Sequence, residues 1–261
     1  MGIAHLPAPE SMVPSHAIEA IRRFSSTEIS SFVASNGASL LEAEVLALLD
    51  NPHCPASVCE TLARNLRLTA FYSVRLSLVR NRATPLAQSV KLVHYLHWPD
   101  LLWLSVDVKV PAQVRRAVET QLLLRIDKLS PGEKIAAAKR CSAALIRVFL
   151  FDPDEKVFAA LLVNQRLREE DLLLLAGSDS ASAEKLLILS SDPKWSYRYA
   201  IRRALALNPS TPRAAAASQL RYLSRRDLSI IHGDPATSTY LRRCIERLAP
   251  GVFTRETERI D

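Results

Sequence analysis

Five segments of the chain align without gaps, and their spacing restricts the fold more than any other feature of the sequence. The segments are SVRLSLVRN (73–81), QVRRAVETQ (113–121), KVFAALLVN (156–164), AIRRALALN (200–208) and YLRRCIERL (240–248). They recur at intervals of 40, 43, 44 and 40 residues. The second and sixth residues of each segment are apolar, as in Val74 and Leu78. Because residues four positions apart lie on the same face of an α-helix, the pattern predicts five helices with buried stripes.

Prolines punctuate the chain on nearly the same period. Asp-Pro precedes three of the aligned segments, at 152–153, 192–193 and 234–235. A second set of prolines follows the aligned segments, at Pro85, Pro131 and Pro212. Aspartate and proline are both favoured around helix starts. Each repeat is therefore predicted to hold three helices, which in the third repeat span roughly 131–140, 142–150 and 153–164.

An all-helical repeat of 40 to 44 residues is typical of an α-solenoid. The segment DPDEKVFAALLVN and the punctuation NPSTP and DNPHCP resemble bacterial proteins of the HEAT and armadillo repeat superfamily. This resemblance implies an all-α, right-handed α-solenoid of about five repeats over residues 39–250. Residues 15–38 would form an N-terminal helical cap. Residues 1–14 are predicted to be a disordered tail and residues 251–261 a polar tail.

Composition excludes several classes of function. The six glycines are too far apart for a phosphate-binding loop, and no apolar run is long enough to span a membrane. The four cysteines lack a CxxC pair, and the N-terminus lacks the charged and apolar regions of a secretion signal. We therefore expect a cytoplasmic, monomeric protein with reduced thiols, no cofactor, no metal ion and no membrane association.

Positive charge is concentrated at the C-terminal end. Of the net charge of +7, +6 lies in residues 192–261, which favours an acidic partner. In this region KWSYRYAIRRALALNPSTP (194–212) interleaves aromatic residues with arginine and lysine. A helical wheel places Tyr197 with the core residue Ile201, and Trp195 and Tyr199 nearly opposite. That second face has two interpretations, which are packing on a neighbouring helix or an exposed ridge that binds a ligand.

Arginine recurs at two positions of the aligned segments. The third position holds Arg75, Arg115, Arg202 and Arg242, and the fourth holds Arg116, Arg203 and Arg243. The resemblance implies that the first arginine bonds a repeat aspartate, for which Asp107, Asp152, Asp192 and Asp234 are available. The second arginine is then the preferred binding candidate. The candidate binding residues are Trp195, Arg198, Tyr199, Arg202, Arg203, Arg116, Arg242 and Arg243.

The expected function is a non-catalytic scaffold whose concave surface binds an acidic segment of another protein. Nucleic-acid binding through the basic C-terminal repeats is the alternative. One version of that alternative is enzymatic, because WLSVDVKVP (103–111) is similar to a segment of HEAT-like alkylpurine DNA glycosylases. The similarity implies an aromatic wall at Trp103 and a carboxylate at Asp107 that stabilises a cationic sugar. The chain departs from that family at Phe158, where a catalytic arginine is expected.

Overall fold

The structure, a computed structural model, describes residues 15–250, and these residues are all-α as predicted. They form 18 α-helices and one 3₁₀ turn at Ile126–Lys128, with no strand within that range. Both predicted tails, 1–14 and 251–261, lie outside the described residues. The helices are α1 Ser15–Ile21, α2 Ser26–Asn36, α3 Glu42–Asp50, α4 Ala56–Arg64, α5 Leu66–Thr69, α6 Tyr72–Arg80, α7 Leu86–Val93, α8 Trp98–Val106, α9 Ala112–Leu123, α10 Pro131–Ala138, α11 Ala143–Leu150, α12 Glu155–Leu161, α13 Glu169–Ala176, α14 Ala183–Ser191, α15 Tyr199–Leu207, α16 Arg213–Leu220, α17 Arg225–Gly233 and α18 Thr239–Leu248.

The chain divides into two compact units, of which the first ends at Arg125 and the second begins at Ile126. In the first unit, α1 packs on α3, α3 on α6, α6 on α7, and both α7 and α8 on α9. In the second unit, α10 packs on α12, α12 on α14, and α13 on α15. Helix α15 in turn packs on α16 and α17, and α18 packs on both of these helices.

The five aligned segments form helices α6, α9, α12, α15 and α18, which confirms their prediction. Every apolar pair of the alignment is buried. Val157, Leu161, Ile201 and Leu205 are fully inaccessible, and Leu241, the most exposed of the set, is only 7% exposed. Burial of these side chains provides the main favourable free energy that holds each helix in its unit.

Helix starts follow the predicted signals, with one difference. Pro131 opens α10, and Pro85 and Pro212 stand immediately before α7 and α16. The three helices predicted for the third sequence repeat are α10, α11 and α12, with boundaries shifted by a few residues. Asp192 and Asp234, however, cap the end of the preceding helices α14 and α17 instead of the start of the next.

Buried or half-buried asparagines connect the turns of each unit. The amide nitrogen of Asn164 donates to the carbonyls of Ala138 at 2.8 Å and Cys141 at 3.3 Å. That of Asn208 donates to Ala176 and Ser178 at 2.7 and 3.0 Å. Asn51 and Asn81 make the same kind of bond in the first unit. Each asparagine therefore supplies a donor to carbonyls at or just after the end of an earlier helix, where intrahelical donors run out.

Candidate binding surface

The start of α15 corrects the predicted position of Trp195 and Tyr197. Helix α15 begins at Tyr199, so the helical wheel does not apply to the turn that precedes it. The Asp192 carboxylate accepts the backbone N–H groups of Lys194 and Trp195 and fixes that turn. Trp195 is 2% exposed and donates its indole N–H to the carbonyl of Leu162, whereas Tyr197 is 59% exposed. The core placement of Tyr197 is therefore wrong. Of the two interpretations of the face that holds Trp195, the packed one applies to this residue, because its side chain is buried.

The carboxylate of Asp227 bonds side chains at the N-terminal end of α15. Its carboxylate accepts the hydroxyl of Tyr199, the Nε of Arg203 at 2.8 Å and the hydroxyl of Ser224 at 2.9 Å. The hydroxyl of Tyr199 also accepts the backbone N–H of Ser224 at 3.0 Å. The bond from Tyr199, followed by those from Arg203 and Ser224, lowers the pKa of Asp227. The carboxylate is therefore ionised and internally compensated at neutral pH.

The guanidinium of Arg202 lies against an exposed tyrosine. Its carbon is 3.6 Å from the centre of the Tyr222 ring, and that of Arg221 is 4.7 Å from the same ring. The Nε of Arg202 donates to the carbonyl of Ser196 at 2.9 Å. Because the ring and the carbonyl fix the guanidinium plane, Arg202 is held in one orientation at the surface.

Two further arginines extend this region. Arg225 and Arg226 form the first turn of α17, next to Asp227, and both are exposed. Their guanidinium groups have no partner among residues 16–250. We call the whole region the arginine–tyrosine surface. Its members are Tyr199, Arg202, Arg203, Arg221, Tyr222, Arg225, Arg226 and Asp227.

The remaining candidate arginines differ in whether their guanidinium groups already have a bonding partner. Arg198 pairs with Glu169 at 2.8 Å, and Arg242 donates to the carbonyl of Asp234 at 2.9 Å. Arg116 and Arg243 are exposed and have no partner in the described part of the chain. Arg203 is engaged by Asp227 although it holds the same repeat position as Arg116 and Arg243.

Sequence reasoning missed Tyr222 and Asp227, although a signal for both is present. Residues 72–100 and 199–227 carry identical residues at several positions that are 127 residues apart. The hydrogen bonds repeat as well, because Tyr72 bonds Asp100 and accepts the N–H of His97, as Tyr199 does with Asp227 and Ser224. The pairs that are identical between the two stretches include Tyr72 and Tyr199, Arg75 and Arg202, Asn81 and Asn208, Pro85 and Pro212, Tyr95 and Tyr222, and Asp100 and Asp227.

Trp103 and Asp107 are brought together in the first unit by Arg80. The guanidinium of Arg80 lies 4.6 Å from the centre of the Trp103 ring, and its Nε lies 3.3 Å from the Asp107 carboxylate. The same carboxylate accepts the backbone N–H of Lys109 at 2.9 Å. Asp107 therefore accepts a backbone N–H in its turn, as Asp192 and Asp234 do in theirs, and it also has Arg80 as a cationic partner.

No helix in the described part of the chain has the length and apolarity that a membrane crossing requires. Among the same residues, no three His, Cys, Asp or Glu side chains are grouped as a metal ion would need.

Comparison of the chain with protein-family models, with curated proteins and with solved structures gave no match. The function is therefore inferred from the surface itself.

Proposed function

We propose that the chain is a non-catalytic α-solenoid of the HEAT and armadillo type that binds an acidic segment of another protein through the arginine–tyrosine surface. The observation that carries this proposal is the charge of that surface, whose members include five arginines and a single carboxylate, that of Asp227. Since Asp227 is already bonded by Tyr199, Arg203 and Ser224, it does not compete for the free arginines.

The chemistry of these side chains suits carboxylates. A guanidinium donates two parallel hydrogen bonds to a carboxylate, a geometry that lysine cannot supply. The stacking of Arg202 on Tyr222 holds one such group in place before a ligand arrives. A side chain that is already ordered loses less conformational entropy on binding, and this favours affinity.

The position of Arg225 and Arg226 supports the same proposal. Both lie in the first turn of α17, where the helix dipole disfavours positive charge. Asp227 is the acidic residue of that turn, and Arg203 pairs with it. Two exposed cations at this place weaken the helix slightly, and an acidic ligand would relieve their repulsion.

Nucleic acid is the competing class of ligand, because exposed tyrosines and arginines also suit base stacking and phosphate contacts. Tyr197, Tyr199 and Tyr222 are 59%, 46% and 44% exposed. A glycosylase-type reaction is not part of the proposal. The carboxylate that it would need, Asp107, is engaged by Arg80 and by the N–H of Lys109.

The test compares three labelled probes on the full chain, which are a short peptide of alternating glutamate and serine, a duplex DNA and a single-stranded DNA. Arg225→Glu with Arg226→Glu removes the two free arginines. Arg140→Glu with Arg147→Glu is the matched control, because these arginines are also exposed and lie in the same unit. Fluorescence anisotropy over a salt series gives each affinity, and circular dichroism checks that each variant folds.

We expect the peptide to bind, and we expect the Arg225/Arg226 variant to weaken binding by about tenfold or more while the control pair has little effect. Failure of the peptide to bind would overturn the proposal. Tighter binding of either DNA, with the steep salt dependence of phosphate contacts and the same loss in the Arg225/Arg226 variant, would replace it with the nucleic-acid alternative.

A further inference from the structure

A groove of the first unit occupies the place that corresponds to the Arg202 and Tyr222 contact of the second. It encloses about 710 Å³, and its lining includes Arg64, Leu66, Arg75, Lys91, His94 and Tyr95. Arg75 and Tyr95 are the counterparts of Arg202 and Tyr222 at the separation of 127 positions. In the second unit the arginine lies on the tyrosine, whereas in the first unit these two residues line the groove.

The groove carries positive charge. Arg64, Arg75 and Lys91 are cationic, and no carboxylate lines it among the described residues. Glu60 pairs with Arg64 at 2.6 Å on the exposed side of α4, which leaves Arg75 and Lys91 without an acidic partner there. A groove with this charge favours an anionic group over a neutral or cationic one.

The groove also has an exposed apolar side. Leu66 is 86% exposed and Tyr95 is 64% exposed, both of them large side chains left in contact with water. Leu92 and the methyl groups of Ala63 and Ala70 continue the apolar lining. Burial of such a surface by an apolar group of a ligand is favourable because it removes that area from water.

Arg75 lacks the hydrogen bond that its counterpart makes. The Nε of Arg202 donates to the carbonyl of Ser196, but the Nε of Arg75 is buried and has no partner among the described residues. Its ring contact is with Tyr72, at 5.6 Å. The difference follows from the preceding segment, which is helical at Leu66–Thr69 and forms turns at 193–197. The guanidinium of Arg75 is therefore less fully bonded than that of Arg202, and it lines the groove as a cation.

We propose that this groove binds a short acidic peptide segment. Its carboxylate would pair with Arg75 and Lys91, while a neighbouring apolar side chain packs on Leu66 and Tyr95. The requirement for an apolar neighbour distinguishes this site from the arginine–tyrosine surface, where charge alone selects the ligand. The inference does not depend on that surface, because the groove lies in the other unit.

The test uses the full chain with Arg225→Glu and Arg226→Glu, so that binding at the arginine–tyrosine surface does not contribute. The probe is a labelled peptide of alternating glutamate and leucine. Two matched peptides carry glutamine for glutamate or serine for leucine. The groove variants are Lys91→Glu and Leu66→Ser, both at exposed positions, and Lys139→Glu is the exposed control in the second unit.

We expect the glutamate–leucine peptide to bind, with a loss of about tenfold for Lys91→Glu or for the glutamine peptide. Leu66→Ser and the serine peptide should each weaken binding several-fold, and Lys139→Glu should not. Arg75→Lys, which keeps the charge but removes the planar guanidinium that pairs with a carboxylate, should also weaken binding. The proposal is overturned if the peptide does not bind, or if neither Lys91→Glu nor Leu66→Ser changes its affinity. Displacement of the peptide by stoichiometric duplex DNA would likewise overturn it in favour of a phosphate-binding groove.

Discussion

The hydroxyl oxygen of Tyr199 accepts the backbone N–H of Ser224 at 3.0 Å, across a separation of 25 residues. Ser224 is the N-cap of α17, so this bond attaches the start of that helix to the start of α15. Tyr72 and His97 make the same contact in the first unit, at the same separation and at 3.1 Å. In both places the tyrosine also bonds the carboxylate three residues further on.

Removal of the Tyr199 hydroxyl tests the structural role of this contact. We expect Tyr199→Phe to lower the free energy of unfolding by about 1 kcal/mol, because the Asp227 carboxylate and the Ser224 N–H each lose a partner. Urea denaturation measures the change. Tyr240→Phe is the matched control, since Tyr240 is 47% exposed and its hydroxyl is unbonded among the described residues. Equal stability of the two variants would show that the bond contributes nothing.

The low pKa of Asp227 predicts an acid-dependent stability. The bonds from Tyr199, Arg203 and Ser224 place this pKa below its ordinary value of 3.8. A carboxylate of this kind stabilises the folded state above its unfolded pKa and loses that effect as the pH falls through the folded pKa.

We therefore expect Asp227→Asn to cost about 1 kcal/mol near neutral pH, and we expect the cost to shrink as the pH falls below about 4. Denaturation of both proteins between pH 2 and pH 7 measures the difference. Asp179→Asn, at an exposed turn, is the control. A cost that stays constant down to the lowest pH would contradict the assignment.

The helices could be predicted because their signal is local. The apolar pairs of α6, α9, α12, α15 and α18 lie four residues apart, and a buried face needs that spacing wherever the helix is placed. Pro131 and the acidic residues at the start of α13 also act within a single turn. Local signals of this kind set element type well and set boundaries only within a few residues, as the shorter α12 shows.

The candidate site was harder to predict because its contacts join distant residues. A turn fixed by Asp192 replaced the first turn of the predicted helix, and this turn buries Trp195 and exposes Tyr197, which the helical wheel had placed in the core. Asp227 lies 28 positions after Tyr199, and no periodicity within one helix links them. The corresponding pair, Tyr72 and Asp100, would have indicated the contact, since the same two residue types recur at the same separation.

The buried asparagines predict a large loss of stability on truncation. Asn164 is fully buried, donates to two carbonyls and accepts the N–H of Arg166 at 2.8 Å. We expect Asn164→Ala to cost about 2–4 kcal/mol, because it leaves buried polar groups without partners and opens a small cavity. Its exposed neighbour supplies the control, since Gln165→Ala should change the unfolding free energy by less than about 0.5 kcal/mol. A cost for Asn164→Ala as small as that of the control would refute this role.

Lys185 predicts a change of stability at alkaline pH. It is 5% exposed, and its ammonium group donates to the carbonyls of Leu150 and Asp152 at 3.0 and 2.5 Å. Burial lowers the pKa of Lys185 below 10.5, although the Asp152 carboxylate opposes the shift. Between the folded pKa and 10.5, the unfolded chain holds a proton that the folded chain has released, so this lysine adds stability as the pH rises.

The unfolding free energy of the wild type, relative to Lys185→Met, should therefore increase as the pH rises from neutral toward 10.5. Denaturation of both proteins across this range gives the difference. Lys139→Met, at an exposed position, should show no such trend. A difference that is flat or falls with pH would contradict the burial of a charged amine.

The four cysteines should differ sharply in reactivity. Cys54, Cys59 and Cys141 are buried, and Cys244 is partly exposed. Burial raises the pKa of Cys141 to about 12, so this thiol is protonated as well as shielded near neutral pH. We expect a thiol reagent at about pH 8 to label Cys244 first, and to reach the other three only when the protein unfolds. Mass spectrometry of the labelled peptides identifies each site, and Cys244→Ser should abolish the fast phase. Fast labelling of Cys141 in the folded protein would show that the turn between α10 and α11 opens far more readily than its burial indicates.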